Sequence, residues 1–102
     1  MRQALQRFTS EDRGRVLRED IDRLETQIRR AEDEVTQAIE LYQDLGDLVR
    51  GTDAAVAVAA GREWKPAFEA RERAIGKLRK LMSEREEALL RLENWTILRR
   101  AR

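Results

Sequence analysis

The chain has 102 residues, 40% of them charged and 41% hydrophobic, with a formal net charge of +1. This balance excludes a disordered chain and gives no bulk attraction to nucleic acid or membrane. Without Cys or His it has no disulfide, no thiolate nucleophile, no thiolate or imidazole metal ligand, and no imidazole for proton transfer.

One Pro, five Gly and few aromatics suit long helices, and strand is hard to place anywhere. The expected class is all-α, with residues 1–9 as an N-terminal arm and residues 10–102 as a single helical-hairpin domain. The opening residues lack the apolar core of a secretory signal, and no apolar run approaches the roughly 20 residues of a membrane span, so a cytoplasmic location is expected.

From Leu17 the apolar residues alternate at spacings of four and three: Leu17, Ile21, Leu24, Ile28, Ala31, Val35, Ala38, Tyr42, Leu45 and Val49. Such a seam keeps one stripe against a partner helix along its whole length. Thr9 or Ser10 supplies an N-cap, Glu11 and Asp12 favour the positive first turn, and Gly51 supplies a stop. The first helix is therefore expected over about 10–50. Near its C-terminal end Ile39, Leu41 and Leu48 widen the stripe, so this half needs more than one neighbour.

Thr52 to Gly61 contains a cap, the run Ala54-Ala55-Val56-Ala57-Val58-Ala59-Ala60, and a glycine. It reads as a short helix over about 53–60 that covers the widened stripe. Pro66 then opens the last helix, about 66–100, at a position where a missing N–H costs nothing. Its apolar stripe is broad, with Leu and Arg alternating every seven residues along the centre: Arg71, Leu78, Arg85, Leu92, Arg99.

The two long helices have seams of equal length, and their charges favour an antiparallel arrangement. Residues 31–49 contain six carboxylates and no Lys or Arg, whereas residues 71–80 contain five cations against Glu72 alone. Folding back at residues 51–65 sets these runs side by side. Each surface pair contributes only about 0–1 kcal/mol, so the pattern chooses orientation more than it stabilises. The hairpin leaves the broad stripe partly uncovered, and dimerisation into a four-helix bundle is the simplest cover.

The expected function is therefore a non-enzymatic, coiled-coil-like interaction or assembly module that self-associates through Ile75, Leu78, Leu81, Met82, Arg85, Leu89 and Leu92. No catalytic residue, cofactor or metal site is expected: the pairs Glu19/Arg23, Glu25/Arg29, Glu69/Arg73 and Glu87/Arg91 have ordinary i, i+4 helix spacing. A second cluster lies where the chain ends meet. Residues 1–18 contain five Arg against two acids, and residues 96–102 contain three Arg. Arg13, Arg15, Arg18, Arg99, Arg100 and Arg102 would form an anion- or partner-binding pole, and an accessory nucleic-acid role is the less favoured use of it. The plainer reading is a solvated helix end. Trp64 and Phe68, a turn apart, read as a clamp holding the Ala/Val segment on Leu45, Leu48 and Val49.

The stretch Ala59-Ala60-Gly61-Arg62-Glu63-Trp64, followed by Glu69, Arg73 and Leu78, resembles the tryptophan-marked hairpin of flagellar export chaperones over less than a third of the chain. Pro66 and the Ala/Val run depart from that pattern. The resemblance implies an alternative function, a small helical protein that escorts or inhibits a larger protein machine.

Overall fold

The structure, a computed structural model, describes residues 9–101; residues 1–8 of the expected arm, and Arg102 of the pole, lie outside that range. Among the described residues two helices make up the fold, α1 over Ser10–Val49 and α2 over Ala54–Ala101. They form two compact units. One joins the residues up to Gln27 with those from Leu81 onward, and the other runs from Ile28 to Lys80 and contains the turn. Within each, the helices pair antiparallel.

Local chemistry explains the start of α1. The Asp12 amide donates to Thr9 Oγ1 at 3.2 Å, and the Thr9 amide and hydroxyl both donate to Asp12 Oδ2 at 2.9 Å. Thr9 is thus the N-cap of a reciprocal box in which Asp12 takes the place usually held by Glu or Gln. These two donations hold the Asp12 carboxyl below its ordinary range, the Thr9 amide contributing most.

At the other end α1 stops at Val49. The Gly51 amide donates to the Leu48 carbonyl at 3.1 Å, a tightened last turn, and no glycine among the described residues has positive φ. Asp53 opens α2, its Oδ1 accepting from the Val56 amide at 3.2 Å and its carbonyl from the Ala57 amide at 2.9 Å.

The expected short helix and separate last helix are one element: α2 continues through Gly61 and has Pro66 in its interior. Pro66 lacks the N–H that would meet the Arg62 carbonyl, a defect that costs an isolated helix about 3 kcal/mol. The seam explains why the helix tolerates it. Ala57, Ala60, Trp64 and Ala67 continue backwards the same spacing that runs through Arg71, Ala74, Leu78, Leu81, Arg85, Ala88, Leu92 and Trp95. Ala60 and Ala67, on either side of the defect, are both buried.

In the unit with the chain ends, Ile21, Leu24 and Ala88 form the core, with Leu81 and Leu92 packed against it. In the unit with the turn, Ile28, Ala31, Ala60 and Ala67 are buried. Of the eight buried apolar residues among those described, four are alanine. Small residues let helices approach closely but remove little apolar surface from water, so most of the driving force of about 1.5–3 kcal/mol per large side chain is absent from these positions.

The Ala/Val segment does not cover the widened stripe. As the first turns of α2 it extends along the seam, and Leu41 and Leu48 stay 52% and 45% exposed.

Candidate functional site

Trp95 organises the unit with the chain ends. It is buried, its indole N–H donates to Ser10 Oγ at 3.2 Å, and the guanidinium groups of Arg18 and Arg99 lie 5.5 and 5.3 Å from its ring. The ring rests directly on Gly14. A methyl group built there would lie 2.6 Å from Cζ2 and 2.9 Å from Cζ3, and closer still to Cη2. Gly14 therefore provides the hole for this knob. It stands seven residues before Ile21 on the seam, a spacing that marks it as a packing position once the seam is extended upstream of Leu17.

Three of the five described arginines of the pole are engaged by the fold. Arg15 pairs with Asp12 at 3.1 Å, Arg99 pairs with Glu11 at 3.2 Å, and Arg18 lies over Trp95. Arg13 and Arg100 are exposed and have no ion-pair partner among the described residues. A groove of about 550 Å³ lies at this end, lined in part by Arg13, Trp95, Leu98 and Arg99.

In the unit with the turn, the aromatics gather on Tyr42. Trp64 stacks on it with ring centroids 5.7 Å apart, and Phe68 meets it tilted at 5.8 Å. The clamp expected on Leu45, Leu48 and Val49 is thus built around Tyr42, and Trp64 and Phe68 stay 37% and 41% exposed. Arg71 lies over Tyr42 at 4.6 Å and Phe68 at 5.0 Å, with Nη2 donating to Glu72 Oε1 at 3.0 Å and its buried Nε without a partner. Planar guanidinium on aromatic faces, more than a facing carboxylate, holds this seam position. Lys77 and Glu34 pair across the helices at 3.2 Å, joining the basic run to the acidic one in the expected antiparallel sense.

The seven residues expected at an interface fall into two groups. Leu78, Leu81, Arg85 and Leu92 occupy the seam between α1 and α2 and are half-buried. Beside that seam runs a second column at seven-residue spacing: Phe68, Ile75, Met82 and Leu89. Ile75 is half-buried, while Met82 and Leu89 are 42% and 44% exposed. Phe68 belongs to this column and was readable from the same repeat within the expected last helix, but the sequence reading assigns it with Trp64 to the clamp at the turn.

Among the described residues, no group of three or more His, Cys, Asp or Glu could hold a metal ion, and no helix is long and apolar enough to cross a membrane. No protein-family model, curated protein or solved structure matches the chain. The likeness to export chaperones thus has no support beyond its short motif.

Proposed function

We propose that this chain is a non-enzymatic protein-interaction module that self-associates side by side through the outer column of α2, making a four-helix bundle from two hairpins. One observation carries the reading. Phe68, Met82 and Leu89, at 41%, 42% and 44% exposure, lie with Ile75 on one stripe beside a seam too rich in alanine to bury much apolar surface itself. A helix whose apolar face is wider than its intramolecular partner can cover needs a second partner. A second copy presents the same column and matches it by two-fold symmetry.

Sedimentation at high salt tests this, because screening leaves an apolar contact in place. The wild type is expected to sediment as a dimer. Met82→Glu with Leu89→Glu, on the exposed column and outside the core, is expected to sediment as a monomer of unchanged helicity. A wild type that stays monomeric, or a double variant that still dimerises, contradicts the proposal.

A further inference from the structure

Gly61 continues the outer column of α2 by one step toward the turn, giving five members at seven-residue spacing: Gly61, Phe68, Ile75, Met82 and Leu89. Gly61 is exposed, and a methyl group built there meets nothing within 4 Å. Four residues on from each member lies the outer edge of this face, and every position of it is charged: Lys65, Glu72, Arg79, Glu86 and Glu93. The first four alternate in sign, and all are exposed. Glu72 accepts from Arg71 Nη2 on its own helix, whereas Lys65, Arg79 and Glu86 have no ion-pair partner among the described residues.

Resting on the side-by-side reading, we propose that the second copy lies antiparallel along α2 in one register. Ile75 meets its own copy at the two-fold axis, Phe68 meets the partner's Met82, and Leu89 fills the space over the partner's Gly61. The edge charges select this arrangement. In an antiparallel pair the corresponding edges of the two helices face each other. Reversal about Ile75 sets Lys65 against the partner's Glu86 and Glu72 against the partner's Arg79, so two-fold symmetry makes four opposite-sign pairs, and Glu93 falls against Val58.

The charges on either side of these positions do not oppose the register. On the inner edge Arg71 falls against the partner's Leu78 and Arg85 against its Trp64; next to the column, Glu69 falls against Ser83 and Arg62 against Leu90. No like charges meet. Sliding one copy by seven residues in one sense sets Arg79 against its own copy and Glu72 against Glu86. In the other sense it sets Glu72 against its own copy and Lys65 against Arg79, and both registers are opposed by like charge. A parallel pair sets Gly61 against Gly61, a gap that no column side chain fills.

The chain has no cysteine, so single thiols report the pairing directly. In full-length protein under mild oxidation, Phe68→Cys copies and Met82→Cys copies are expected to stay unlinked alone and to form a disulfide when mixed, one of them carrying a size tag. Ile75→Cys copies are expected to link to themselves. Phe68→Cys copies that link to one another as fast as the mixture does overturn the register, as does a mixture that stays unlinked. Charge changes on the exposed edge provide a second route that leaves every apolar side chain in place. At low salt Arg79→Glu and Glu72→Arg should each weaken the dimer by about tenfold, because each creates two like-charge pairs across the contact. Mixing the two variants restores opposite signs in both pairs, and so does combining the changes in one chain. Equal affinity in all of these forms overturns the assignment. A wild type that sediments as a monomer refutes the side-by-side reading and this one together, whereas a wild-type dimer that fails the thiol and charge tests refutes this one alone.

Discussion

Replacing Gly14 with alanine opposes two effects of known sign at one atom. In an ordinary helix interior, Gly→Ala stabilises by about 1 kcal/mol, because alanine has less backbone freedom to lose. Gly76 is such a site, within α2 and with nothing inside 4 Å of a built methyl group. At Gly14 the added methyl meets the Trp95 ring, with Cζ2 at 2.6 Å and Cζ3 at 2.9 Å. That ring is no flexible side-chain end, since the bond to Ser10 Oγ and burial on the seam hold it. Overpacking of this kind costs about 1–3 kcal/mol. Gly14→Ala should therefore be destabilising by up to about 2 kcal/mol net, and Gly76→Ala stabilising by about 1. The gap between the two is the quantity to read, and at about 4–8 °C per kcal/mol it is plain in a thermal melt followed by circular dichroism at one protein concentration. Trimming the ring with Trp95→Leu should remove the penalty of the added methyl group, so the pair should couple in a double-mutant cycle. If Gly14→Ala stabilises as much as Gly76→Ala does, the knob-in-hole account of this end is wrong.

Other outcomes follow from the same reasoning. Pro66→Ala should stabilise the chain, by up to about 3 kcal/mol, because it restores the donor to the Arg62 carbonyl within a continuous helix; unchanged or lowered stability in denaturant titration would mean that the helix begins at Pro66. Thr9→Ala should cost about 0.5–2 kcal/mol by removing the cap on α1, read from the same titration. Asp12 has a lowered folded-state pKa, so its contribution is present above its unfolded value near 3.8 and is lost as pH falls through the folded value. Acid melts of the wild type should accordingly lose more stability below pH 4 than those of Asp12→Asn, and parallel curves would refute that link. Arg71→Met, which keeps apolar length over Tyr42 and Phe68 and removes the unpaired buried Nε, should be near neutral, whereas Arg71→Ala should cost about 1–2 kcal/mol in thermal melts.

The first helix was legible because every level of its chemistry agrees. The seam from Leu17 to Val49, the Thr9 cap and the acidic first turn all mark the same segment, and the Glu34–Lys77 bridge confirms the sense of pairing read from the charge runs. At the start of the second helix two local signals, Gly61 and Pro66, stand out in the sequence above a weaker long-range one, and the structure follows the long-range one. Ala60, Trp64 and Ala67 continue the seam through both, but alanine contributes little to an apolar stripe, so the repeat was hard to see until its buried members were located. A separate short helix would have been free to cover Leu41 and Leu48, whereas the first turns of a continuous helix are not. Of the residues expected at an interface, Leu78, Leu81 and Leu92 serve the intramolecular seam, and the outer column with Phe68 emerges only once the seam is assigned.

Self-association through the outer column of α2 is tested most directly by the mass of the wild type in solution at high salt, set beside that of Met82→Glu, Leu89→Glu under the same conditions. A wild-type dimer and a folded, monomeric variant are the predicted pair of results. Two equal masses, with helicity intact in both, would contradict the account.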